Sequence, residues 1–169
     1  MSTKLIRRAL IASGLFIGTA VAFSPTAFAD TTGSVVMGGS VTSTLNLASV
    51  TTAGATALDL DGDGTTPTAH IVQVADLTIG TNNEQGYTLT ATAGSLAKAG
   101  GTSIAYQVTS VANGEAAPAI GDFSAGNYTV GTTAAGETLT DLYIKYTPAA
   151  LQDAGAYAAT ITLNVVDKT

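Results

Sequence analysis

The alternation of apolar and polar residues predicts β-strands along most of the chain. In GYTLTATA, residues 86–93, Tyr87 and Leu89 fall on one face and threonines fall on the other. Because successive side chains of a strand point to opposite faces, this period of two indicates strands with one buried face. Comparable alternation occurs in residues 103–111, 141–147 and 156–166, and more weakly in residues 44–50 and 69–80.

Two of these stretches give more detailed expectations. In residues 141–147, one set of alternate positions is expected to face inward: Leu142, Ile144 and Tyr146. The other set is expected to face solvent: Asp141, Tyr143 and Lys145. In residues 69–80, the two valines fall out of phase with Leu77 and Ile79. A β-bulge near Ala75–Asp76 restores the register, so a bulge is predicted there.

Turn signals separate the predicted strands, and they favour a single all-β domain. DGDG, TNNEQG and AAGE are of the glycine- and asparagine-rich kind that ends strands. Only PAALQDAG, residues 148–155, is interpreted as a helical turn. Seven or more short strands in one domain predict a β-sandwich.

The stretch LQDAGAY, residues 151–157, makes that fold prediction more specific. Its Asp153, Gly155 and Tyr157 resemble the tyrosine corner of Greek-key, immunoglobulin-like sandwiches. In that corner the tyrosine hydroxyl bonds to backbone a few residues upstream. An ordinary loop with a core tyrosine is the alternative. We therefore predict a single Greek-key immunoglobulin-like β-sandwich.

The first 29 residues have the pattern of a cleaved export signal. Lys4, Arg7 and Arg8 precede an apolar stretch at residues 9–23, and SPTAFA then places small residues as a cleavage site requires. We predict a signal peptide at residues 1–29 and a mature protein in the periplasm, at the cell surface or outside the cell. A membrane anchor is the less favoured alternative, because serine and glycine interrupt a short apolar run. No membrane span is predicted in the mature chain.

The charge balance after residue 29 excludes several kinds of partner and chemistry. Twelve acidic residues face three lysines, Lys98, Lys145 and Lys168, and the chain has no cysteine. Three lysines cannot neutralise many phosphates. Nucleic acid is therefore not expected as a partner. The absence of cysteine excludes disulfides, thiol catalysis and thiolate metal sites.

The predicted mature chain starts with DTTGSVVMGGSVTSTLNL, residues 30–47, in which small and apolar residues alternate. This stretch resembles the start of fimbrial subunits assembled by the chaperone–usher route. GYTLTATAG and TSIAYQVT resemble strands of the related spore coat protein U-like domain, and DAGAYAATITLNVVD resembles the closing strand of both groups. The resemblance covers most of the predicted mature chain.

The resemblance implies a mechanism of assembly. Residues 30–41 would form an arm that adds a strand to the incomplete sandwich, residues 42–169, of a neighbouring subunit. Val35, Val36 and Met37 would fill apolar pockets, and Gly38 and Gly39 would pass a crowded point. It also implies self-association into a fibre and a chaperone as a further partner. The alternatives are an edge strand within the chain's own sheet and a disordered arm.

An acidic stretch, DLDGDG, is the clearest candidate for metal binding. Asp59, Asp61 and Asp63 occupy positions 1, 3 and 5 of a calcium-loop pattern, and the Thr65 carbonyl could occupy position 7. Position 12 is His70 in place of a bidentate glutamate, so an EF-hand is not expected. A weaker Ca²⁺ site, completed by a distant carboxylate such as that of Asp76 or Glu84, and a solvated hairpin tip remain the alternatives.

These observations favour a structural protein over an enzyme. His70 is the single histidine, so neither a histidine zinc cluster nor a serine triad is indicated. We predict a non-enzymatic subunit of an extracellular or surface fibre or coat. The first alternative is a secreted or periplasmic module that binds glycan or protein through tyrosines such as Tyr87, Tyr128 or Tyr143. A small hydrolase with two facing carboxylates is the second.

Overall fold

The computed structural model of the 169-residue chain describes residues 35–62 and 64–169. The predicted signal peptide and Asp63 lie outside the described residues. Residues 40–169 form one compact unit, and the described residues before Ser40 belong to a separate unit. The elements are β1 Leu45–Thr51, α1 Ala53–Thr56, β2 His70–Thr81, β3 Tyr87–Thr92, β4 Gly94–Leu96, β5 Ile104–Ala112, the 3₁₀ helix Ile120–Asp122, β6 Asn127–Gly131, β7 Gly136–Tyr146 and β8 Leu163–Asp167.

The eight strands of the described residues form two antiparallel sheets of unequal width. The wider sheet has the order β1-β2-β7-β5-β4, and the narrower sheet has the order β6-β3-β8. The predicted all-β class is therefore confirmed. Among the described residues, one four-residue helix and one 3₁₀ turn are the helical elements.

The hydrophobic core lies between the inner faces of the central strands. The alternating residues of β3 that were predicted to share one face, Tyr87, Leu89 and Ala91, are all buried. They pack in one cluster with residues of the wider sheet: Val74, Leu77, Ile79, Ile104, Tyr106, Val108, Leu142, Ile144 and Tyr146. Period-two alternation thus produced the expected half-buried strands, because each sheet covers the apolar face of the other.

The predicted bulge in β2 is confirmed, one residue earlier than expected. The register between β2 and β7 shifts between Gln73 and Ala75, so Val74 is the extra residue. Val74 is buried together with Leu77 and Ile79. The bulge therefore returns residues on both of its sides to the core face, as the phase change in the sequence required.

The prediction that Asp141 and Tyr143 face solvent is wrong. Their exposed fractions are 5% and 8%, although they lie on the outer face of β7. The turn after β5 covers Asp141, whose carboxylate accepts hydrogen bonds from Asn113 Nδ2 (2.9 Å) and from the Gly114 N–H (3.2 Å). Alternation in one strand cannot show that a distant loop packs over its outer face.

Two predictions of local structure are also wrong in extent or type. The stretch 156–166 becomes a regular strand only from Leu163, and its earlier half is extended chain with a single bridge between Ala158 and Ala97. PAALQDAG contains a turn near Leu151 and no helical segment. The short strands β4 and β6 were not predicted, because neither is long enough to show clear alternation.

Candidate functional site

On one side of the two-sheet fold, each sheet ends in an edge strand whose outer side is unpaired among the described residues. β1 is the edge of the wider sheet and β8 is the edge of the narrower sheet. In the part of the chain that the structure describes, β1 pairs only with β2 and β8 pairs only with β3. Each edge therefore presents backbone groups that can bind a further strand.

A cleft of about 220 Å³ lies between these edges and reaches the core. Ser49 and Thr51 of β1 form one wall, and Ala55 of α1 lies beside them. Val74 and Leu142, both core residues, contribute to the lining. A strand added at this side would cover apolar surface that the two sheets leave accessible.

The other wall of the cleft is the extended segment that leads into β8. Ala159, Ile161 and Leu163 line the cleft, so alternate residues of this segment face inward. The Tyr106 hydroxyl donates a hydrogen bond across the sandwich to the Thr160 carbonyl (3.2 Å). Burial raises the pKa of Tyr106, because the charged phenolate would be poorly solvated there. This contact fixes the wall although the segment is not part of a regular strand.

A polar network closes one end of the open side. The side-chain oxygen of Asn82 accepts a hydrogen bond from the Thr44 N–H (2.8 Å), and its amide group donates to the Thr42 carbonyl (2.8 Å). The Asp167 carboxylate accepts hydrogen bonds from the hydroxyls of Ser43 (2.7 Å) and Thr81 (2.7 Å). These contacts attach residues 42–44 to the end of β2 and to the end of β8.

The same hydroxyls change the acidity of Asp167. The hydrogen bonds from Ser43 and Thr81 lower the pKa of its carboxyl group, and partial desolvation opposes them. Hydrogen bonds to an ionised carboxylate favour the charged form. Asp167 thus stabilises the junction of both sheets as an anion.

The five predicted donor-strand residues have no regular secondary structure. Val35, Val36 and Met37 are almost fully exposed, and nothing would contact a Cβ atom at Gly38 or Gly39. The apolar side chains of this segment are thus accessible to a partner. Its role as a donor strand stays a prediction.

The acidic stretch packs at the start of β2, beside His70. Asp59 and Asp61 line a pocket together with His70, Gly62 and other residues. The Tyr146 hydroxyl donates a hydrogen bond to the Asp59 carbonyl (3.0 Å), and the ring of Tyr146 stacks on that of His70 at 5.4 Å. Burial, followed by the charge of Asp59, raises the pKa of Tyr146. Core packing of Tyr146 thus positions the acidic stretch.

The structure does not bring the more distant candidate ligands to this pocket. Asp76 is six residues further along β2 than His70, which corresponds to about 20 Å of strand. It accepts a hydrogen bond from Gln73 Nε2 (2.6 Å). Glu84 follows the opposite end of β2. Within the described residues, no three His, Cys, Asp or Glu side chains form a group that could hold a metal ion. The Ca²⁺ site, with Thr65 as a carbonyl ligand, stays a prediction.

Tyr157 makes a contact of the kind that a tyrosine corner requires. Its hydroxyl donates a hydrogen bond to the carbonyl of Asp153 (2.9 Å), four residues upstream, and accepts one from Gln152 Nε2 (2.7 Å). The Asp153 carboxylate accepts a hydrogen bond from the Thr102 N–H (3.1 Å). Gly155 has φ of +143°, in the region that favours glycine. These contacts fix the loop before the cleft wall.

The other tyrosines that were expected to form a binding patch do not share one exposed surface. Tyr87 is buried in the core, and Tyr143 is buried on the outer face of β7. Tyr128 is partly buried and donates to the Ser110 carbonyl (3.1 Å). A sugar-binding face built from these three rings is therefore not present in the described fold.

The family resemblance implied an incomplete sandwich, but sequence reasoning identified none of the residues that line the cleft, and it missed the Asp167 network. The cleft arises from how many strands each sheet contains, which alternation along one chain does not specify. The network joins Ser43 to Asp167, two residues separated by most of the chain. A run of small polar residues at TST, residues 42–44, was the available signal, and it is too common to indicate such an anchor.

Comparisons with known proteins returned no match. A scan of protein-family models, a search of curated proteins and a search of solved structures each found nothing similar to this chain. In residues 35–62 and 64–169, no helix has the length and apolar character needed to span a membrane.

Proposed function

We propose that the protein is an exported, non-enzymatic structural subunit of an extracellular or cell-surface fibre or coat, and that it assembles by N-terminal strand donation. The observation that carries this proposal is the free edge of β8 beside an apolar cleft. An edge of this kind takes up a further strand through backbone hydrogen bonds, and alternate side chains determine the register.

The order of the strands supports a sandwich that lacks one strand. In an immunoglobulin constant-type domain, one sheet has the order ABED and the other contains C, F and G. β1, β2, β7 and β5 match A, B, E and D in both position and sequence order. β3 and β8 then match C and F. Among the described strands, none lies at the place of G, the neighbour of F. The contact between Tyr157 and Asp153, just before β8, agrees with the same assignment.

The N-terminal arm has the properties that the open side needs in a donor. Residues 31–44 contain no charged residue and no proline, and the apolar residues at positions 35–37 are exposed. A strand without charges enters an apolar cleft at a low desolvation cost. The resemblance of residues 30–47 to fimbrial subunits supports the same role. Transfer of an arm from copy to copy does not close on itself and would build a fibre.

The test compares two lengths of the protein with a matched full-length variant. One form starts at Asp30 and the other at Ser40, and the variant starts at Asp30 with serine at positions 35, 36 and 37. We expect fibres or assemblies larger than a dimer only from the unmodified Asp30 form, by size-exclusion chromatography and negative-stain microscopy. We also expect the Ser40 form to have a lower melting temperature, because its cleft stays uncovered.

The serine variant separates arm length from arm chemistry. If it assembles as well as the unmodified form, apolar side chains of the arm do not drive assembly. Equally stable monomers of all three forms would contradict strand donation altogether.

A further inference from the structure

The free edge of β1 presents a regular row of unpaired backbone groups. Thr44 and Thr52 lie one residue outside the two ends of β1, and their backbone groups point towards β2. The Thr44 carbonyl accepts a hydrogen bond from the Asn82 N–H (3.2 Å), and the Thr52 N–H donates one to the Val74 carbonyl (3.0 Å). Backbone groups alternate in direction along an antiparallel strand. The N–H and C=O groups of the odd-numbered residues therefore point away from β2: Leu45, Leu47, Ser49 and Thr51.

β1 lacks the features that commonly protect an edge strand. Exposed edges are usually blocked by lysine, proline, a bulge or a covering element. β1 contains no charged residue and no proline, pairs with β2 without a register shift, and is exposed at all seven positions. Val50 is 64% exposed. This edge is thus open to pairing with another strand.

The charge distribution favours a second copy of this chain as the partner. The chain carries a net charge of −6, so two copies repel each other over most approaches. Residues 31–58 contain no charged residue, and β1 lies within this range. Two β1 edges can therefore meet without bringing charged side chains of their own strands together.

The sequence of β1 is also compatible with pairing to itself. If Ala48 of each copy lies on a twofold axis, Leu45 pairs with Thr51 and Leu47 pairs with Ser49. All of these residues present outward backbone groups, so about eight hydrogen bonds join the copies. Leu45 and Leu47, which are 36% and 38% exposed, gain cover from the second copy.

We propose that β1 pairs antiparallel with β1 of a second copy about this twofold axis, so that the two five-stranded sheets become one continuous sheet. The proposal does not depend on strand donation, because donation uses the edge of β8 in the narrower sheet. Together, the two edges would let a fibre subunit also bind a subunit of a neighbouring fibre.

The absence of cysteine makes the register directly testable. Opposed residues that do not exchange hydrogen bonds have Cα atoms about 4.5 Å apart, which lies within the range that a disulfide spans. We expect full-length Ala48→Cys protein to form a disulfide-linked dimer under mild oxidation. Ala105→Cys, at an exposed alanine of β5, is the matched control and should stay largely monomeric. Cross-linking of both variants to the same extent would overturn the proposal.

A mixture of two single-cysteine chains tests the pairing between copies. Asn46 of one copy lies opposite Val50 of the other in the proposed register. We expect Asn46→Cys and Val50→Cys chains to cross-link when they are mixed, and neither to cross-link alone. Absence of the mixed product, while Ala48→Cys dimerises, would overturn this register.

A proline at Ser49 tests the edge without changing the arm. The Ser49 N–H points to the free edge, so Ser49→Pro removes a hydrogen bond between copies and none to β2. We expect the dissociation constant of the dimer, measured by sedimentation, to rise about tenfold or more. The circular dichroism spectrum should not change. A folded proline variant that dimerises as well as the original chain would overturn the proposal. Arm removal at Ser40 abolishes strand donation but leaves this dimer, so failure of the two proposals is distinguishable.

Discussion

Single polar side chains fix the loops of this protein, since it has no disulfide to do so. Tyr146, Tyr157 and Tyr106 each direct a hydroxyl from a packed ring to a backbone carbonyl of an irregular segment. A buried ring limits the freedom of its hydroxyl, and the hydroxyl in turn limits the loop. These contacts position the acidic stretch, the loop before β8 and the wall of the cleft.

The contact between Tyr157 and Asp153 gives the first prediction. Tyr157→Phe should lower the free energy of unfolding by about 1 kcal/mol, because it removes a hydrogen bond and keeps the ring. Tyr143→Phe is the control, since its hydroxyl contact with Gln73 is long, at 3.5 Å. Urea unfolding of both variants measures the difference. Equal effects of the two variants would argue against a structural role of the corner.

Asp167 gives a prediction about pH. Its pKa is lowered in the folded protein, so it contributes stability above the ordinary carboxyl pKa of about 4. That contribution is lost as the pH falls through the lowered value. Asp167→Asn should therefore be less stable than the original chain at pH 7, and the difference should shrink in acid.

Thermal unfolding of both proteins across acidic and neutral buffers measures this difference. Asp122→Asn, at an exposed carboxylate in the 3₁₀ helix, is the control. A constant difference between Asp167→Asn and the original chain at every pH would contradict the electrostatic explanation.

At the scale of elements, long alternating segments could be predicted from sequence and short or covered ones could not. β3 and β5 have clear alternation, and both lie where the pattern places them. The segment before β8 alternates equally well, but it borders an open cleft and makes an isolated bridge, between Ala158 and Ala97, in place of a regular strand pairing. Asp141 and Tyr143 are buried by contacts with residues distant in sequence. The alternation of residues indicates where a strand lies. It does not indicate which strand pairs with it or which loop covers it, because these depend on the whole fold.

Leu142 of β7 provides a prediction at this scale, because it belongs both to the core and to the cleft lining. Leu142→Ala should lower the free energy of unfolding by about 2–5 kcal/mol, as expected for a cavity at a buried leucine. Leu151→Ala, at an exposed leucine in the loop after β7, should change it by less than about 0.5 kcal/mol. Chemical denaturation measures both. If Leu142→Ala lowers the free energy of unfolding by less than about 1 kcal/mol, the residues around the cleft must close over the space left by the missing side chain.

At the scale of the whole molecule, the two edges carry few charges although the chain as a whole is acidic. Both proposed contacts, strand addition at β8 and pairing at β1, use segments with few charges, whereas the chain carries twice as many acidic as basic residues. Electrostatic repulsion between the acidic copies therefore opposes assembly. The two proposed contacts themselves depend little on ion pairs.

This balance predicts how salt affects assembly. Raising the ionic strength from low to physiological salt should strengthen self-association, because screening acts over about 10 Å and reduces the repulsion. Light scattering in a series of sodium chloride concentrations measures the effect. Association that weakens with salt would indicate ion pairs across the contact. A neutral osmolyte at equal osmolality is the control for effects other than screening.

The pairing of β2 with β7 has a consequence for how the chain folds. These central strands join residues 70–81 to residues 136–146, so the middle of the wider sheet cannot form until most of the chain has been synthesised. Pairings between such distant segments slow folding, because the entropy of closing the loop is lost before the contacts are gained. The chain should therefore stay unfolded for longer than a chain with local pairings, and this delay would favour the export proposed above. The same order of strands that leaves an edge open in the finished subunit would thus delay its completion.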